Sequence, residues 1–248
     1  MSTPISDSLH LLKDAENQLT LIKISYENSF KEKEVSKMLR LKVKHFLDNI
    51  RSALDYAAWQ IYTDKSRQNV GERNREKHEK GIYFPILKSK SNFDDIIRNK
   101  FPGVEEHNPE IKNILESAQG FMTVDGVNWT NNLVELSNNN KHRSLTAQKK
   151  KETVHIHKLV TNDGNVTITN TTFVGENGSS AFGMNDLDIT NMNLGDFPSE
   201  FSYEGNVEVE FKFKDIDQPV LAVLDDIFYG ASDVLGRLSD VLTAPNTE

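Results

Sequence analysis

Apolar residues recur every three or four positions through most of the first 62 residues, which is the period of one helix face. Between residues 6 and 26 the stripe is Leu9, Leu12, Leu19, Ile22 and Tyr26, with Ser6 placed to cap it. The polar stretch 27–34 interrupts the stripe, so the pattern fits either two antiparallel helices or one uninterrupted helix. Segment 35–62 is the strongest helix of the chain, because Val43, Leu47, Ile50, Leu54, Ala57 and Ile61 form one continuous line.

Residues 63–80 are charged and nearly devoid of apolar side chains, and read as a surface loop. The short apolar run 82–86 contains Pro85, which suits an edge strand or an extended tether better than a helix. Ser91 is placed to cap a helix over 92–100, Pro109 opens another over 110–119, and Trp129, Leu133 and Leu136 mark a third over 128–143. After residue 151 the period changes to two. Segments 153–160 and 165–174 flank Asn162, Asp163, Gly164 and Asn165, which is hairpin chemistry, and 175–200 reads as a long loop. Val207, Val209, Phe211 and Phe213 then alternate with charged residues as a strand with one dry face. A final helix carries Val220, Leu224, Ile227, Phe228, Ala231, Leu235, Leu238 and Leu242, weakened locally by Gly230 and Gly236. The expected class is α+β: a helical bundle over 1–151, a small antiparallel β insertion over 152–215, and a C-terminal helix over 216–248 that packs back on the bundle.

Composition narrows the function classes. The 248 residues suit one large domain or two small ones. With 29 Lys+Arg against 37 Asp+Glu the net charge is −8, which disfavours a whole-surface grip on nucleic acid but leaves room for a local basic site. The absence of cysteine removes disulfides, thiolate metal sites and cysteine nucleophiles together. No signal peptide is read at the N-terminus, and no apolar run approaches the ~20 residues of a membrane span. A cytoplasmic protein without a membrane partner is expected.

Two clusters could carry chemistry. Opposite Ile50 on the second helix, at about 100° per residue, stand Asp48, Asp55 and Trp59, with Arg51 and Tyr62 at the margin. Asp48, Arg51 and Asp55 are spaced to form one ion-pair ladder, whose plain reading is a structural network orienting neighbouring helices. The second cluster ends the Trp129 helix: Asn139, Asn140, Lys141, His142 and Arg143. An imidazole between two cations is suited to accept a proton while the cations hold an anion; the plain reading is a basic helix C-terminus complementing the macrodipole. With Lys149, Lys150 and Lys151, the segment 141–151 is either a local patch for phosphates or a solvated connector.

Arg51-Ser52-Ala53-Leu54-Asp55-Tyr56-Ala57-Ala58-Trp59, then Phe84-Pro85-Ile86, then Asn140-Lys141-His142-Arg143 resemble, in order, the LRxALDxxxW, FPI and DKHR segments of a broad group of uncharacterised bacterial proteins. The chain departs from that pattern at Ile50, where the group favours Leu, and at Asn140, where it favours Asp. The resemblance covers roughly the first 150 residues and implies a shared arrangement of Arg51, Asp55, Lys141, His142 and Arg143, but no activity. A helical bundle with arginine and histidine is also weakly similar to HEPN-type ribonucleases; Arg73 to His78 fits their Arg-x4–6-His string, which is expected about once by chance in such a chain.

Metal chemistry finds little support. His45 and Asp48, at i,i+3, could share a divalent ion with Asp55 or His142, but they point about 60° apart and no Glu-x-x-His motif is present. His155 and His157, with Glu208 and Glu210 opposite, fall on outward strand positions. No cofactor is expected. Two functions follow. One is an RNA-binding protein or metal-independent ribonuclease, in prokaryotic defence or stress response, with Arg51 and Lys141 on phosphate, His142 moving the proton and Asp55 orienting a cation. The other is a non-enzymatic interaction module, with a partner protein or as a homodimer, in which Asp48, Arg51, Asp55 and His142 form a structural network.

Overall fold

The computed structural model describes the backbone of residues 3–28, 35–123, 128–142, 145, 147–161, 167–175 and 201–244, and the side chains of 3–27, 35–123, 128–138, 145, 147–148 and 210–244. Among these residues helix predominates, and the chain divides into two compact units.

The first unit comprises Met1–Lys23, Leu41–Leu145 and Ala222–Glu248. Helix α1 (Pro4–Asn28) starts two residues earlier than the stripe suggests, because Pro4 is preset for the first turn and the Thr3 hydroxyl, not Ser6, accepts a backbone N–H, that of Ser6 at 3.3 Å. It lies antiparallel to α2 (Lys37–Ile61) within this unit: Ser8 Oγ donates to Ala53 O at 2.7 Å and Asn49 Nδ2 to Asp14 Oδ2 at 2.7 Å. Of the two arrangements open to the sequence, the structure thus has two helices. The expected line on α2 is the core, with Leu47, Ile50, Leu54, Ala57 and Ile61 fully buried.

The charged stretch after α2, expected as a loop, is helical. A π-helical turn (Tyr62–Ser66) and a 3-10 turn (Arg67–Asn69) lead into α3 (Glu72–Glu79). Polar contacts replace the missing apolar stripe. Tyr62 stacks on His78 with ring centroids 5.4 Å apart, Arg67 pairs with Glu79 at 3.0 Å, and Lys80 pairs with Glu76 at 2.8 Å. Helix α4 (Lys90–Lys100) is capped by Ser89, whose hydroxyl accepts from Asn92 N, rather than by Ser91. Gly103, at φ 87°, turns the chain into the short α5 (Val104–His107), and α6 (Pro109–Ser117) opens on its proline. Helix α7 (Trp129–His142) packs against α8 (Val220–Thr243) so closely that a Cβ at Gly230 would lie 2.5 Å from the Trp129 indole. Further ties of α8 are Lys23–Asp225 at 2.6 Å and Arg237 Nη1 to Ser117 Oγ at 3.1 Å.

The second unit comprises Ile24–Arg40 and Thr146–Leu221. Residues 24–40, read from the sequence as part of the bundle, therefore group with the strands. Strands β1 (Gln148–Thr161), β2 (Thr167–Gly175) and β3 (Phe201–Phe213) pair antiparallel in the order β2-β1-β3. β1 is longer than its period-two core. The backbone of Lys149, Lys150 and Lys151 belongs to it, opposite Lys212, Phe211 and Glu210, so these three lysines are strand residues and not a connector. The backbone register sets His155 opposite Asn206, Thr153 opposite Glu208 and Lys151 opposite Glu210, so neither glutamate is the direct register partner of His155. Asn162 to Asn165 lie outside the described residues. Tyr26 is the buried centre of this unit: its hydroxyl donates to Gln148 Oε1, its ring lies 5.2 Å from Phe211, and burial pushes its pKa far up.

Candidate binding cleft

Arg51 and Asp55 stand one turn apart on α2 and meet, Nε to Oδ2, at 3.3 Å. Their shared target is the main chain of one residue, Phe84. Asp55 Oδ1 accepts from Phe84 N at 2.9 Å, while Arg51 Nη2 donates to Phe84 O at 3.3 Å. The pair therefore treats Phe84 as a neighbouring strand would, satisfying both of its main-chain groups. Segment 82–87 runs without helix or ladder, as an extended tether, and needs such partners because Phe84 and Pro85 are buried. Pro85 falls at a position that has no N–H to satisfy.

A third side chain completes the splint. Gln119, 1% exposed, accepts from Leu87 N at 2.9 Å through Oε1 and donates through Nε2 to Pro85 O and Leu115 O, each at 2.8 Å. Sequence reasoning missed this residue, since a single glutamine after a helix has no periodic signature. The only available signal is the requirement that a buried, proline-containing tether find donors and acceptors somewhere.

Against this tether lies a cleft of about 560 Å³. Arg51 and Asp55 line it from α2, Ile96 and Lys100 from α4, and Val134, Ser137 and Asn138 from α7. The tether itself supplies Gly81 and Tyr83 to Leu87. Lys100 lies over Gly81, where a Cβ would come within 2.4 Å of its Nζ, and its carbonyl accepts the His78 Nε2–H at 3.1 Å. Ser137 is 3% exposed, and its hydroxyl has no hydrogen-bond partner among the described residues.

The other expected site residues divide. Asp48 does not reach Arg51; Lys44, one turn before it, takes its Oδ2, so the three-residue ladder is shortened to the Arg51–Asp55 pair. The i,i+4 spacing to Lys44 wins over the i,i+3 spacing to Arg51 because Arg51 is engaged by the tether. An ammonium on Asp48 also leaves this carboxylate poorly placed to share a cation with His45. Trp59 is half-buried and packs on Tyr62 at 5.5 Å, and Tyr62 in turn stacks on His78. Burial, then the charge of Glu79, pushes the Tyr62 phenol up. Asn139, Asn140, Lys141 and His142 belong to the last turns of α7 by backbone, but their side chains, and all of Arg143, lie outside the described residues, as do the side chains of Lys149, Lys150 and Lys151.

Among the described residues, no helix is long and apolar enough to cross a membrane. No protein-family model matches the chain, and no curated protein or solved structure matches it.

Proposed function

We propose that the chain is a non-enzymatic binding module, in which the Arg51–Asp55 pair is a structural clamp that shapes a cleft for a partner molecule. The observation that carries this reading is the double engagement of Phe84, because a carboxylate committed to a backbone N–H and to a guanidinium is a poor general acid or base. In this chain two of the segments that resemble the bacterial group, the arginine–aspartate helix and the Phe-Pro-Ile tether, hold each other. On the same reading the sheet is an antiparallel insertion carried before α8.

The RNA-binding or metal-independent ribonuclease reading keeps one support. Helix α7 brings Ser137 and Asn138 to the cleft and reaches His142 one turn later. One experiment separates the two: wild type, Arg51→Ala, Asp55→Ala and His142→Ala are assayed for RNA cleavage in EDTA and melted in parallel. The clamp reading expects no cleavage by any of them, with lower melting temperatures for the Arg51 and Asp55 variants. Cleavage by wild type that His142→Ala abolishes without loss of stability would establish the ribonuclease instead.

A further inference from the structure

We infer that the cleft takes a small organic carboxylate, its head held by Lys100 and Arg51 and its apolar body against the tether. This rests on the binding-module reading and supplies the class of ligand. The charge count comes first. The ionised side chains lining the cleft are Arg51, Lys100 and Asp55, a net charge of +1 that matches a monoanion better than a phosphate dianion. Arg51 and Asp55 neutralise each other in the clamp, which leaves the Lys100 ammonium as the surplus; it has no carboxylate partner among the described residues. Gly81 and Phe84, which these two cations approach, are three residues apart on one tether and so at most about 11 Å apart.

The remaining features fit the same occupant. The Ser137 hydroxyl, buried at the cleft wall without a partner among the described residues, is a donor of the kind that a carboxylate oxygen satisfies. Pro85, Ile86, Leu87, Ile96 and Val134 give apolar walls, and a volume of about 560 Å³ is in the range of sites for small molecules rather than for a folded partner. Gly81 keeps the ammonium close to the tether, since any side chain there would push Nζ aside.

Calorimetric titration of the full chain with naphthylacetate, naphthylethanol and naphthyl phosphate tests the assignment. Naphthylacetate is expected to bind and to raise the melting temperature; the neutral alcohol is expected to bind at least about tenfold more weakly, the loss of one charge-assisted hydrogen bond, and the dianion to bind more weakly because its second charge has no counterpart in a cleft of net charge +1. Lys100→Gln is expected to weaken naphthylacetate about tenfold, Lys100→Arg to retain it, and both to melt like wild type without ligand. Gly81→Ala is expected to weaken binding by displacing the ammonium. No binding of naphthylacetate to wild type, equal binding of the alcohol, preference for the phosphate, or unchanged affinity in Lys100→Gln would each overturn the proposal. The clamp reading fails separately, through the stability of the Arg51 and Asp55 variants.

Discussion

Removing the Asp55 carboxylate tests how much the clamp stabilises the first unit. In Asp55→Ala the Phe84 N–H loses an acceptor at 2.9 Å and stays buried, since Phe84 is 1% exposed. A charge-assisted hydrogen bond lost in this way costs about 2–3 kcal/mol. The Arg51 contact adds at most about 1 kcal/mol, because the two side chains are 20% and 23% exposed and solvent screens them. The total of about 3 kcal/mol corresponds to a melting temperature lower by roughly 6–12 °C for a chain of this size. Asp55→Asn keeps an acceptor for the amide and is expected to lose about half as much. In the double variant Arg51→Ala/Asp55→Ala the losses are expected to fall short of additivity by at least about 0.5 kcal/mol, since both side chains act on one residue. The assay is thermal melting followed by circular dichroism, with urea midpoints as a check. An Asp55→Ala variant that melts within about 2 °C of wild type, or a cycle that adds fully, refutes the clamp.

Three further outcomes are expected. Gly236→Ala stabilises by about 0.5–1 kcal/mol, because nothing lies within 4 Å of the added methyl in a helix interior, whereas Gly230→Ala destabilises because its Cβ would lie 2.5 Å from the Trp129 ring; urea midpoints of the pair read both signs. Gln119→Leu costs about 2–4 kcal/mol by orphaning Leu87 N and Pro85 O, and equal stability of this variant in denaturant would exclude the splint. Burial raises the Tyr26 pKa above its unfolded value, so its neutral form is favoured in the fold; that stability is complete below about pH 10 and is lost as pH rises further, by about 1.4 kcal/mol per unit. Tyr26→Phe, less stable at neutral pH because Gln148 loses its donor, is therefore expected to fall less steeply than wild type above about pH 10 in urea titrations.

The helices were legible wherever a continuous apolar line had to be buried, as on α2 and α8, and the strand region wherever the period changed to two. Legibility failed where polar side chains supply the cohesion. Residues 63–80 fold through a Tyr62–His78 stack and ion pairs that hydropathy does not register. Helix starts moved by two residues at α1 and α4 because Thr3 and Ser89 outcompete nearby serines as caps. At the cleft, Arg51 and Asp55 were recognisable as a pair from their spacing, but what they hold was not, since the tether comes from 29 residues further along. Lys100 and Ser137 carried no pattern at all and are visible only once α4 and α7 stand beside α2.

The tether's dependence on three separate side chains has a consequence for how its register is kept. A strand in a ladder can slip by two residues and recover equivalent bonds from its neighbour, because every partner is another repeating backbone. Residues 84–87 have no such alternative: Arg51 and Asp55 fit the C=O and N–H of one residue, and Gln119 fits one donor and one acceptor around a proline. Insertions and deletions near this segment are therefore tolerated only outside the stretch between Phe84 and Leu87. Within it, the amide protons of those two residues exchange with solvent through opening of the side chains that hold them, so their exchange rates are a local gauge of the cleft itself.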